Sequence, residues 1–176
     1  MRSAFRAVGG DSRGRSGGPV AITRRTDYAV RLMNELAQLP VGATMSLRDV
    51  CQAAEIPESF GQPLLTFLVD GGLVQASGYG VSRFALAEPA SEIPMSRIIC
   101  ACEPDFSIAS CARDPQSCPR SSFCGAHSMW VQLDQVIWNH LRTTTLAQIA
   151  AGAPFPTEAF GRETQRPCQE WPTDPS

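Results

Sequence analysis

The stretch CARDPQSCPRSSFCGAH, residues 111 to 127, places three cysteines and a histidine in one short segment with the pattern C-x(6)-C-x(5)-C-x(2)-H. Thiolates are soft ligands suited to iron–sulfur clusters, zinc or cuprous copper, and imidazole suits zinc and iron. A structural zinc site typically shows short C-x(2-4)-C knuckles that preorganise two ligands on one turn. The gaps between Cys111, Cys118 and Cys124 are wider, and Pro115 and Pro119 punctuate a loop that can wrap a larger inorganic core from several sides. The spacing of Cys111, Cys118, Cys124 and His127 therefore favours an iron–sulfur cluster, with zinc as the alternative. Arg113, Asp114, Gln116, Ser117, Arg120, Ser121 and Ser122 lie between the cysteines, so this polar loop has no core for its thiols to fill.

The remaining cysteines read differently. Cys51 sits on an apolar helix face and is expected to pack in a core. Cys100 and Cys102, in IICACEP, stand near enough to be alternative ligands or redox partners, and burial in a helix explains them equally well. Cys168 lies in the C-terminal tail and receives no role. His140 reads as a surface or interface histidine.

Composition sets the frame for this chemistry. Hydrophobic residues at 43% and charged residues at 18% describe a folded globular chain. No apolar run is long enough to span a membrane, and MRSAFRAVGGDSRGRSGGPV lacks the apolar segment of a secretory signal. The expected compartment is the cytoplasm, where reducing conditions shift clustered cysteines toward metal binding or redox chemistry. A net charge of -2 gives no bulk attraction to nucleic acid, so any DNA-binding surface must come from local patterning. All 15 basic residues are arginine, whose planar fork suits phosphate and guanine. No nucleotide-binding loop or catalytic dyad is visible, so an enzyme is not expected.

The elements that must position the cysteine loop follow from periodicity. Residues 1–21 are rich in Gly, Ser and Arg and read as a disordered arm, and the proline-rich 152–176 as a disordered tail. Between them, Tyr28, Leu32, Leu36 and Leu39, widened by Val30 and Met33, mark a first helix that Pro40 and Gly42 stop. Ser46, with Asp49 three residues on, caps a second helix that turns Leu47, Val50, Cys51 and Ala54 inward. A third follows Pro57, with Phe60, Leu64, Leu68 and Val69 expected on its buried side and Gly71–Gly72 at its end. Leu73 and Val74, then Phe84 and Leu86, mark two short strands around a turn holding Gly78 and Gly80. The fold class is therefore mostly α: a winged helix-turn-helix with a β-hairpin wing. A helix from Ile93 to about Glu103 leads into the cysteine loop. A long helix follows from Gly125 to about Arg142, with Trp130, Leu133, Ile137 and Leu141 in one stripe beside Met129 and Val136. So small a domain offers that stripe no obvious partner, which points to a second copy of the chain. The domain reading is 22–90 for the winged helix and 91–151 for the cysteine loop and dimerisation helices.

ITRRTDYAVRLMNELA, IPESFGQPLLTFLVDGGLV, FALAEPASEIPMSRIICACEP, the three-cysteine loop and MWVQLDQVIWNHLRTTTLAQI, in that order, resemble the Rrf-type winged-helix transcription regulators. That family includes nitric-oxide-sensing repressors and regulators of iron–sulfur cluster assembly. The resemblance covers about residues 22–151. It implies a cytoplasmic homodimer with crossed C-terminal helices, bound to a double-stranded DNA operator, with no membrane association. Each subunit would hold a cluster through Cys111, Cys118, Cys124 and one further ligand. In the cluster-assembly regulators that ligand corresponds to His127; in the nitric-oxide-sensing type it corresponds to Asp27 of the other subunit. Both are present, and with a slight preference for Asp27 the choice stays open, as does 2Fe–2S against 4Fe–4S. The signal, whether nitric oxide, oxidation or the supply of iron or clusters, is open too.

In such a regulator phosphate contacts position and base contacts specify. Arg24, Arg25 and Arg31 on the first helix, Arg48 on the second and Arg83 in the wing are the candidate phosphate clamps. Ser59, Gln62 and Thr66 on the outward side of the third helix are the candidate base readers, glutamine with adenine being the best-defined pairing. Two departures from the family pattern bear on specificity. The wing keeps Gly78 and Gly80 without the family's Gly-Gly pair, and the third helix has Pro63 and no basic residue.

Overall fold

The computed structural model describes residues 22–78 and 82–152. The N-terminal arm, Gly80, Cys168 and the tail beyond Gly152 lie outside the described residues. Helix α1 (Arg24–Ala37) begins where the Thr23 side chain accepts from the Thr26 amide, with Asp27 complementing the positive end of the helix. Ala29, Leu32, Met33 and Leu36 recur at helical spacing and are buried. A two-residue strand, β1 (Met45–Ser46), follows, which the sequence reading did not anticipate. Helix α2 (Leu47–Ala53) is capped by Ser46, whose oxygen accepts from the Asp49 amide while its hydroxyl donates to the Asp49 carboxylate at 2.7 Å.

Helix α3 (Glu58–Asp70) ends at Gly71, and Gly72 takes the left-handed conformation, φ 66°, that releases the chain. Its buried face is Gly61, Leu64, Leu65 and Leu68. Phe60, expected inside, is 49% exposed, and Val69 is only half-buried. The helix is rotated so that Leu65 enters the core, and it sits so close to α2 that a Cβ on Gly61 would lie 2.1 Å from the Cys51 sulfur. Cys51 is accordingly a packing residue, its thiol pKa raised by burial and by nearby Glu58.

Strands β2 (Val74–Ser77) and β3 (Arg83–Leu86) form the antiparallel wing in the register Val74–Leu86 and Ala76–Phe84. β1 pairs on the other side of β3, giving the order β1-β3-β2. Helix α4 (Met95–Cys102) returns to the core through Ile98, Ile99 and Cys102. It is followed by one-turn α5 (Ser110–Arg113), the long α6 (His127–Thr143) and α7 (Leu146–Ala150). Amides of Met95 and Leu146 donate to the carbonyls of Thr144 and Ile93, stitching the start of α7 to the start of α4. The long helix starts at His127, two residues later than expected.

One core unites α1, α2, α3, the wing, α4 and Leu146 of α7. Helix α6 meets this core through half-buried Leu141, which the sequence placed in the unpartnered stripe, but none of its residues is fully buried, and Met129, Trp130, Leu133 and Val136 are exposed. No described helix is long and apolar enough to cross a membrane.

Candidate functional site

The cysteine loop is fastened at its entrance from two sides. Where α4 ends, one oxygen of Glu103 accepts from the hydroxyls of Thr23, at 2.5 Å, and Thr26, both at the start of α1. Burial alone would raise the Glu103 pKa, but these hydroxyls, the Thr23 amide and the charge of Arg25 outweigh it and hold the carboxyl below its usual value. On the other side, Asp134 of α6 accepts from the Ser107 hydroxyl and the Ile108 amide, each at 3.0 Å. Phe106 meets Trp138 of α6 edge-on, with centroids 5.7 Å apart. The entrance therefore touches both the first helix of the winged domain and the long helix.

Beyond the entrance the loop holds itself together. The Asp114 carboxylate accepts from the Gln116 amide at 2.9 Å, the Ser117 hydroxyl donates to the Asp114 carbonyl, and the Ser121 hydroxyl donates to the Pro115 carbonyl, both at 2.7 Å. These bonds suit a proline-rich segment with few amides to spare for regular structure.

Cys111 lies on α5 and Cys118 just after a single 3-10 turn, both half-buried; Cys124 is exposed, and none of the three is in a disulfide. His127 opens α6. Its Nδ1 is buried and has no hydrogen-bond partner. Cys118 and His127 line the same hollow of about 540 Å³, with Pro115, Gln116, Pro119, Ser121 and Ser122. A buried polar atom without a partner is destabilising, so the imidazole is better satisfied with a ligand than without one. Free thiols and an unpartnered imidazole nitrogen on one loop are a donor set that suits an iron–sulfur centre. Among the described residues, no three His, Cys, Asp or Glu side chains converge closely enough to hold a metal ion, so the loop collects the donors without closing them around a point.

The other candidate donors are placed elsewhere. Asp27 pairs with Arg31 at 2.9 Å along the surface of α1. Cys102 is buried in the core, and burial pushes its thiol to about 11, with Glu103 adding to the rise and Arg25 opposing it. A thiol held protonated is a poor ligand at neutral pH. Cys100 is exposed on α4.

The residues marked for DNA are all at the surface. Ser59, Gln62 and Thr66 are exposed along one ridge of α3, the Thr66 hydroxyl donating to the Gln62 carbonyl at 3.2 Å. Arg24, Arg25 and Arg48 are exposed, with the Arg25 guanidinium over the Phe67 ring at 5.8 Å. Arg31 lies over the Tyr28 ring besides pairing with Asp27. Arg83 is engaged within the fold, donating to the Thr44 hydroxyl at 2.7 Å and the Thr44 carbonyl at 2.5 Å.

The supports Thr23, Thr26, Glu103 and Asp134 escaped the sequence reading. One signal was available for Asp134, the sole acidic residue of α6 and therefore an unusual group on that helix.

Residues 22–152 match a family model described as Rrf2, iron-dependent transcriptional regulator. Among similar proteins, the protein Rrf2 of Nitratidesulfovibrio vulgaris is 24% identical over 132 residues, covering 75% of this chain and 88% of its own. The HTH-type transcriptional regulator IscR of Serratia proteamaculans is 26% identical over 128 residues, covering 73% of this chain and 77% of its own. The solved structure of CymR, described as the global cysteine regulator of B. subtilis, superposes with a TM-score of 0.62 at 21% identity, over 76% of this chain and 98% of that one. IscR of T. potens superposes with a TM-score of 0.61 at 22% identity, over 81% and 93%. The shared architecture is that of winged-helix regulators.

Proposed function

The chain belongs to the Rrf2 family of transcriptional regulators, and on that premise we propose that its grip on DNA is controlled by an iron–sulfur cluster held by Cys111, Cys118 and Cys124. It is a DNA-binding regulator rather than an enzyme. The observation that carries the cluster reading is the buried, unpartnered Nδ1 of His127 on the hollow it shares with Cys118. His127 is the fourth ligand this geometry favours, and Asp27 of the partner subunit is the other. When bound, a cluster supplies a soft redox centre that nitric oxide or oxidants attack and that is lost when iron or cluster supply fails.

The protein's own residues turn that state into a change in DNA binding. Glu103, at the loop entrance, is held by the first turn of α1, the helix that also carries Arg24 and Arg25. Asp134 holds the same entrance to α6. Closing or releasing the loop therefore acts on α1 and α6 together and shifts the population of dimers whose winged domains match the DNA. Regulators of this family are typically dimeric, and the exposed stripe of Met129, Trp130, Leu133 and Val136 is the surface on which a second copy crosses. Two such domains set half-sites about one helical turn apart.

The test is anaerobic purification of wild type and Cys118→Ala with a visible spectrum and iron, sulfide and zinc analysis. A brown protein with matching iron and sulfide, bleached in the variant, is expected. Colourless protein carrying zinc would replace this reading with a zinc-stabilised winged-helix protein acting through protein contacts.

A further inference from the structure

Helix α3 presents two parallel ridges to solvent. One is polar: Ser59, Gln62 and Thr66. The other repeats the same i, i+3, i+7 spacing with apolar residues, Phe60, Pro63 and Phe67. Phenylalanines 49% and 42% exposed, on a helix already burying four other positions, are not explained by the core. Exposed apolar surface of this kind marks a contact site.

The ridge is also held in place. The Phe60 ring meets Tyr28 of α1 edge-on, with centroids 5.9 Å apart. Phe67 lies under the Arg25 guanidinium, and Arg31 lies over Tyr28. Phe67 is thus bordered directly by a cation from α1, and Phe60 through Tyr28. Pro63, inside the helix, contributes an exposed apolar ring with no hydrogen-bonding group on its side chain.

Resting on the DNA-binding role of α3, we propose that the ridge of Phe60, Pro63 and Phe67 reads thymine 5-methyl groups in the major groove. The chemistry matches on both sides. Thymine alone carries a methyl group on the groove floor, and apolar side chains recognise it by contact. The adjacent Gln62 is suited to the adenine N6 and N7 edge, so the two ridges together favour A·T steps. The bordering arginines meet the phosphates that flank such a groove, which explains why aromatic and cationic groups alternate along this edge. An apolar partner protein would have little use for the guanidinium groups along the ridge.

The test uses full-length protein purified anaerobically. A preferred duplex is selected from a randomised pool, and each of its thymines is then replaced by deoxyuridine, which removes the methyl group and keeps the pairing. Wild type is expected to lose about fourfold in affinity for each methyl group read. A Phe60→Ala/Phe67→Ala variant binds the thymine and uracil duplexes alike, whereas Gln62→Ala weakens both by the same factor. The ratio between duplexes isolates the methyl contact from any general weakening caused by disturbing Arg25. Equal wild-type affinity for both duplexes, or discrimination that survives in the double variant, overturns the proposal while leaving DNA binding intact. Failure to select any duplex overturns both.

Discussion

The buried Thr26 hydroxyl and the Thr23 hydroxyl donate to one and the same oxygen of Glu103, a residue 77 positions beyond Thr26 in the chain. The carboxylate caps the positive end of α1 from outside the helix while marking the start of the cysteine loop. Replacing Glu103 with alanine strands a hydroxyl in the interior, so Glu103→Ala is expected to lower stability by about 1–3 kcal/mol. Glu103→Gln retains a carbonyl acceptor and is expected to lose less. Thermal denaturation of the two variants beside wild type checks the order.

The same carboxyl sets a pH dependence. Its folded pKa lies below the ordinary value of 4.5, so the unfolded chain binds the proton more readily. The contribution to stability is present above 4.5 and is lost as pH falls below it toward the folded pKa. Urea unfolding of wild type across this acid range is expected to fall more steeply with decreasing pH than that of Glu103→Gln. Parallel curves contradict the assignment.

Gly61 tests how tightly α2 and α3 are joined. A Cβ there meets the Cys51 sulfur at 2.1 Å, so Gly61→Ala must push the helices apart. The expected loss is about 1–3 kcal/mol, measured by denaturant unfolding. Gly61→Ala/Cys51→Ala removes the obstructing atom and is expected to recover part of it.

Much of this architecture was legible from periodicity and caps. Ser46, Gly72, the apolar residues Val74 and Phe84 of the wing and the stripe on α6 are local signals, and local signals survive in a single sequence. Phe60 failed for a physical reason: helical spacing alone lets either Phe60 or Leu65 complete a face with Leu64 and Leu68, and the close approach of Gly61 to Cys51 decides the rotation. Strand β1 is two residues long and exists through its pairing with β3, so it has no periodicity to read. At the site, the ligand types were visible in the cysteine spacing. The hydrogen bonds of Glu103 and Asp134 were not, because each joins residues brought together only by the folded chain.

Leu133 addresses the dimer. It is 43% exposed within the stripe of α6 and contributes nothing to the core of its own chain. Leu133→Arg buries a charge only if a second copy covers this face, at a penalty far larger than for an exposed site. Sedimentation at micromolar concentration is expected to show a dimer for wild type and a monomer of unchanged helical content for the variant. A dimer in both places the interface elsewhere.

Under the proposed function, the state of the cysteine loop sets the affinity for DNA. The most direct test is the dissociation constant of full-length protein for its selected duplex, measured anaerobically before and after removal of the metal centre at fixed salt. A difference of at least tenfold, about 1.4 kcal/mol, abolished in Cys118→Ala, is the predicted result. Equal affinity in the two states would contradict this coupling, leaving a winged-helix regulator whose cysteine loop does not control its DNA binding.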